Sequence, residues 1–154
     1  MKRLFLFLLL SACSFQPVFS GHDTDVYVAP IQGINGIELR NALNAKFGGI
    51  HAQNAKYTLI VDLDEPVTKY KALERTGDAT WQEVRLTASY VLKEGDKEID
   101  KGTEFVSESY TFVRYLVASN ASYNNALENT IHTLSEKIGM RVITETQKAE
   151  KIKK

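Results

Sequence analysis

WQEVRLTASYVL, residues 81–92, decides the fold. Val84, Leu86, Ala88, Tyr90 and Leu92 fall on alternate positions, and a period of two places them on one face of an extended chain. Upstream, YTLIVDL at 57–63 shows the same alternation, with Tyr57, Leu59, Val61 and Leu63 between Thr58, Ile60 and Asp62. The stretch 67–79 reads as an extension of that strand followed by a hairpin loop. Downstream, Gly95-Asp96 marks a turn, and Lys101 to Val113 is a further strand with Val106, Tyr110 and Phe112 on one side. Phe105 and Val113 fall on its other side, which predicts a bulge or a strand apolar on both faces.

Helical spacing flanks these strands. Asp25 to Ala29 is a short strand ended by Pro30. Asn35 and Glu38 then have the spacing of an N-cap and its N3 partner, with Leu39, Ala42, Leu43 and Phe47 as the apolar face and Gly48-Gly49 as the stop. Leu127, Ile131, Leu134, Ile138 and Val142 form one stripe on a long closing helix, expected from near Ser119 to Thr146. The reading is an α+β two-layer sandwich: a mainly antiparallel four-stranded sheet with two helices on one face, in the order β-α-β-β-β-α.

The chain has 154 residues, 44% of them hydrophobic and 25% charged, which excludes collagen-like, coiled-coil and disordered classes. Its 19 basic and 19 acidic residues balance, so the basic excess of a dedicated nucleic-acid binder is missing. The N-terminus is more specific. Met1-Lys2-Arg3 is a positive head, Leu4 to Leu10 reads LFLFLLL, and Ser11, Ala12 and Cys13 follow. This is the pattern of a secretory signal, too short to span a bilayer, and no later segment is long or apolar enough to do so. Leu10-Ser11-Ala12-Cys13 resembles a bacterial lipobox, in which the cysteine is lipidated and the chain is cut before it. Cys13 is the only cysteine, so it has no intrachain disulfide partner. Removing residues 1–12 takes away Lys2 and Arg3, leaving 17 basic against 19 acidic residues and a formal charge of −2. The expected organisation is a lipoprotein signal peptide at 1–12, a lipidated tether at 13–24, the α+β domain at 25–147 and a basic tail at 148–154.

Catalytic motifs are lacking. There is no G-x-S-x-G elbow, P-loop or H-E-x-x-H. His22, His51 and His132 have no metal-ligand spacing, so neither a metal nor a cofactor is expected. Asp62, Asp64 and Glu65 form an acidic cluster that reads as the polar face of a strand entering a turn; an envelope hydrolase using them is the enzymatic alternative. Gly33-Ile34-Asn35-Gly36 has the composition of an anion cradle but is equally explained by a helix start. Lys69, Lys71 and Arg75 gather around one hairpin loop, as solvated surface or as candidate contacts for a phosphorylated lipid.

With these residues in view, the chain resembles the lipopolysaccharide-assembly lipoprotein family, LptE, in its alphaproteobacterial form. Cys13-Ser14-Phe15-Gln16-Pro17-Val18-Phe19 is similar to the family's opening C-G-F-x-P-[VL]-Y. Leu39-Arg40-Asn41-Ala42-Leu43 sits at its first helix, and Ala88-Ser89-Tyr90-Val91-Leu92 is similar to its A-x-Y-x-L strand. Ser109-Tyr110, Leu134-Ser135-Glu136-Lys137-Ile138 and Arg141-Val142 are similar to its closing motifs. Ser14 replaces the usual glycine, and Trp81 stands where relatives often carry a basic residue.

The resemblance implies a non-enzymatic, periplasm-facing lipoprotein of the outer membrane, held by acyl chains that include palmitate on Cys13. It further implies partners: the LptD lipopolysaccharide translocon barrel, which the protein would plug and stabilise, and lipopolysaccharide, whose assembly in the outer leaflet it would assist. No nucleic acid is implied. The alternative is another periplasm-facing outer-membrane lipoprotein scaffold, in barrel assembly or envelope maintenance.

Overall fold

A computed structural model describes residues 24–73, 79–112 and 115–152. Cys13 and Arg75 lie outside them. The elements in chain order are β1 (Val26–Val28), α1 (Ile34–Lys46), β2 (Tyr57–Leu63), β3 (Val67–Leu73), β4 (Ala79–Glu94), β5 (Lys97–Thr111) and α2 (Leu116–Ile152). The architecture is the expected α+β sheet with two helices, and β4, whose alternation is the strongest in the sequence, is its spine.

On one edge β4 pairs with the whole length of β5, from Trp81↔Thr111 to Glu94↔Lys97 across the Gly95-Asp96 turn. Gly95 takes φ of 58° there, a left-handed conformation that costs glycine little. The other edge of β4 carries β2 and β3 end to end, Tyr57↔Glu94 to Leu63↔Ala88 and then Val67↔Arg85 to Leu73↔Ala79. β2 and β3 are therefore one row of the sheet divided at Asp64-Glu65-Pro66. This explains why five strand segments occupy the four expected rows. Pro66 has no N–H to give to the ladder, although the Asp64 N–H still donates to Thr87 O at 2.9 Å.

Three residues, 64–66, lie opposite two on β4, Leu86 and Thr87. One extra residue reverses the facing of everything after it. In β2 the odd-numbered residues Tyr57, Leu59 and Val61 are buried; in β3 it is Thr68 and Tyr70 that oppose the core-side positions Val84 and Gln82. β1 adds to β2 in parallel, Val26↔Tyr57 to Val28↔Leu59, so the sheet is mixed.

Several boundaries differ from the sequence reading. α1 begins two residues earlier than its polar residues suggest: the N-cap is Gly33 with φ of 80°, no side chain caps the helix, and Asn35 lies inside it. The chain turns sharply after Ile31, and only glycine takes that φ without strain. β5 starts at Lys97 rather than Lys101 because the two-residue turn lets pairing begin at once. Its ladder irregularity falls at Leu92/Lys93, not at Phe105. α2 runs from Leu116 to Ile152, longer at both ends than the apolar stripe. Its last turns are tied down by Lys56, whose ammonium lies 3.0 Å from the Glu150 carboxylate.

Both helices cover one face. Leu39, Leu43 and Phe47 of the α1 segment and Ile131, Leu134, Ile138 and Val142 of α2 share one core with Tyr57, Leu59, Leu86, Ala88, Tyr90 and Leu92. Arg40 Nε donates to Val28 O at 3.0 Å, and Lys46 pairs with Glu136, fixing α1 to β1 and to α2. A second small cluster, Val84, Tyr110 and Ala126, lies under the first half of α2. Among the described residues, the opposite face of the sheet bears no helix.

Candidate functional site

The uncovered face gathers the cations. The reversal at Asp64-Glu65-Pro66 places Lys69 directly across from Glu83, on the face away from the helices. A register shift between Tyr70 and Ala72 then brings Lys71 to the same carboxylate, with Nζ 2.7 Å from Glu83 Oε2. Arg85 Nη2 stands 3.6 Å from Glu83 Oε1. The Glu83 side chain is only 10% exposed. The hydrogen bond from Lys71 holds its carboxyl below the usual glutamate range, against the opposing effect of burial.

The two described lysines of the expected phosphate-contact set thus have different roles. Lys71 is committed to Glu83. Lys69 is exposed and has no ion pair among the described residues.

A second cationic group was not legible in the sequence. Arg85 lies over the Phe105 ring, with Cζ 5.2 Å from the centroid, and Lys137 of α2 approaches the same ring with Nζ at 5.7 Å. Lys137 Nζ also donates to Phe105 O at 3.0 Å, which blunts the outer edge of β5. Arg85 Nε donates to Ser107 Oγ at 3.0 Å. Phe105 is 55% exposed. An exposed aromatic ring between two cations offers an apolar surface and positive charge together, the combination that suits an amphiphilic anion. The signal in the sequence was Phe105 itself, an apolar residue out of phase with Val106. Its partners are twenty and more residues away in sequence and only the pairing brings them in.

The other expected features separate. Asp62 lies on the uncovered face opposite Ser89. Asp64 and Glu65 instead line a cleft of about 350 Å³ with Gln32, Gly33, Ile34 and Asn35. The carboxylates therefore sit beside the α1 N-terminus, where the helix dipole favours negative charge. Their negative charge opposes an incoming anion at the cleft that they share with Gly33, Ile34 and Asn35. Gly36 serves packing: a Cβ there would stand 2.8 Å from the Ile31 side chain. Among the described residues, no three His, Cys, Asp or Glu are placed to hold a metal ion. His51 bonds Phe47 O through Nε2 at 3.0 Å and faces Asp25 at 3.8 Å, while His132 is exposed on α2. Among the described residues no helix is long and apolar enough to cross a membrane.

This arrangement of sheet, crossing helix and long closing helix occurs in known structures. Its fold is that of solved bacterial lipoproteins. A provisional lipoprotein from Caulobacter crescentus superposes with a TM-score of 0.65 at 22% identity, over 84% of this chain and 94% of that one. Rare lipoprotein B from Shewanella oneidensis gives 0.64 at 12% identity, over 82% and 97%. A minor lipoprotein from Acinetobacter baumannii gives 0.59 at 14% identity, over 81% and 93%. No family model and no curated protein matches the sequence. At these identities the likeness is one of fold. It extends over nearly the whole of each partner.

Proposed function

We propose that the protein is an outer-membrane lipoprotein, anchored through Cys13 and facing the periplasm, which plugs and stabilises an LptD-type barrel and assists lipopolysaccharide assembly in the outer leaflet. The observation that carries this reading is the agreement of two independent features. The sequence ends its leader in Leu10-Ser11-Ala12-Cys13, and the domain behind it has a fold found in solved lipoproteins.

The surface suits the role. Barrel lumens are polar, and the mature chain, at a formal charge of −2, enters one without a strong field of its own. Its helix-free sheet face is a broad surface for a lumen wall. On that face, Arg85 and Phe105, with Lys137 reaching from α2, and the exposed Lys69 are the groups suited to a phosphorylated amphiphile. Such a plug makes and breaks no bond and is not an enzyme.

The test is a mild-detergent pull-down of the tagged full chain from envelopes, with mass spectrometry of the bound material. A stoichiometric lipopolysaccharide-translocon barrel is the expected result. Recovery of the protein alone, or with a different assembly, refutes the plug. In parallel, Cys13→Ala should remove acylation and release the protein from the membrane fraction.

A further inference from the structure

We propose that Glu83 is the release residue of the cationic face: its carboxylate, held in place by Lys71, competes with the phosphate of a bound amphiphile for Arg85 and so limits how tightly that lipid is kept. This rests on the lipopolysaccharide reading above and concerns the regulation of that same site.

Glu83 is anomalous in its burial. It projects from β4 on the face away from the helices, opposite Lys69, yet its side chain is only 10% exposed. One oxygen, Oε2, takes the Lys71 ammonium at 2.7 Å. The other, Oε1, makes no hydrogen bond. Arg85 Nη2 stands 3.6 Å from it, near enough for charge attraction and too far for a hydrogen bond. A carboxylate that served only to staple the sheet would be expected to satisfy both oxygens, and a buried polar atom left without a partner calls for an explanation.

Arg85 is positioned by other groups. Its Nε donates to Ser107 Oγ at 3.0 Å, and its guanidinium lies over the Phe105 ring. The side chain remains 38% exposed. Glu83 thus offsets the charge of Arg85 without taking its Nη donors by hydrogen bond, and those donors keep the fork geometry that suits a phosphate. A phosphate seated on them would lie within about 6 Å of the Glu83 carboxylate. One unit charge at that distance changes binding about threefold even at the dielectric of bulk water, and more at a protein surface. Other carboxylates are less well placed for this role. Asp62 lies opposite Ser89, four residues along β4 from Arg85, and Glu108 opposes Val84, on the core side.

Such a device suits a protein that passes lipid on. The exposed Lys69 and Arg85 attract phosphate, while Glu83 stays beside Arg85 and recovers it when the lipid leaves. Cations alone would bind phosphate more tightly and would stand unpaired after release.

The tagged full chain in mild detergent is titrated with hexa-acyl lipid A bearing two phosphates, and with the same lipid stripped of phosphate. Glu83→Gln keeps the shape of the side chain and an acceptor for Lys71. It should tighten binding of the phosphorylated lipid by about threefold or more and leave the stripped lipid unchanged. Glu83→Ala, which removes the charge by a different route, should show the same gain and guards against a fault peculiar to one variant. In an Arg85→Ala background the gain should vanish, because the donors for which Glu83 competes are gone. If the parent binds the phosphorylated lipid and neither Glu83 variant binds it more tightly, the release role is overturned while the lipid reading stands. If parent and variants all fail to bind it, the lipid reading falls and the release role with it. A gain that is equal for the stripped lipid, or that persists without Arg85, shows an effect of packing rather than competition and also overturns the proposal.

Discussion

Gly102→Ala should destabilise the domain by about 1–2 kcal/mol, although glycine is ordinarily a weak residue within a strand. Gly102 lies directly across from Tyr90 on the core face of the β4–β5 ladder. A Cβ added there would stand 2.9 Å from the Tyr90 hydroxyl oxygen and 3.1 Å from ring carbons Cε1 and Cζ. The ring has little freedom to withdraw. It is 2% exposed within the main core, and its hydroxyl donates to Asp100 Oδ2 at 3.0 Å. Overpacking of this kind costs about 1–3 kcal/mol, while exchanging glycine for alanine in a strand returns about 0.5–1 kcal/mol. The steric cost is the larger. For a domain of this size the net loss corresponds to a fall in Tm of roughly 3–8 °C.

Urea unfolding followed by circular dichroism measures it, with an unchanged m-value showing that the folded and unfolded states keep their compactness. The decisive comparison is the same substitution in a Tyr90→Leu background. There the ring is gone, and Gly102→Ala should become neutral or stabilising, a coupling of at least ~1 kcal/mol. A parent chain stabilised by Gly102→Ala, or an equal loss in both backgrounds, would show that Tyr90 does not require glycine opposite it.

Further outcomes follow from burial, pKa and pairing. Leu134→Ala, at a fully buried position facing the sheet, should cost about 2–5 kcal/mol, whereas Leu116→Ala at an exposed position should stay within about 0.5 kcal/mol of the parent in the same urea assay. Burial, and then the hydrogen bond to Asp100, push the Tyr90 phenol up to about 12. The unfolded phenol ionises first, near 10, so this contribution to stability is complete below pH 10 and is lost as pH rises from there through 12. Tyrosinate absorbance should show a late-titrating group that Tyr90→Phe removes. On the lipopolysaccharide reading, Lys69→Ala should weaken binding of the purified lipid more than Lys71→Ala, because Lys71 is already engaged by Glu83. Lys71→Ala should instead cost stability at neutral pH, where the depressed Glu83 carboxyl contributes, and the deficit relative to the parent should shrink as pH falls through the range in which Glu83 protonates. Equal binding by the two lysine variants would indicate that neither position meets the lipid.

Local pattern determined much of this molecule. Alternation over Tyr57–Leu63 and over Val84–Leu92, and the stripe from Leu127 to Val142, gave the strands, the long helix and the buried face of each, because side-chain period and burial are coupled within a single element. The expected leader and Cys13 lie outside the described residues. What the sequence left open depends on contacts between distant segments. Asp64-Glu65-Pro66 inserts one residue into a row of the sheet, and only its register with β4 shows that Lys69 and Lys71 consequently turn toward Glu83. The true start of α1 was hidden because Gly33 owes its conformation to the packing of Ile31 against Gly36 rather than to a capping side chain. Arg85, Phe105 and Lys137 carry no shared motif; strand pairing and the lie of α2 on β5 bring them together. Periodicity is a property of one segment and is written in its residues, whereas register and helix placement are set by the free energy of the whole core, which no single segment contains.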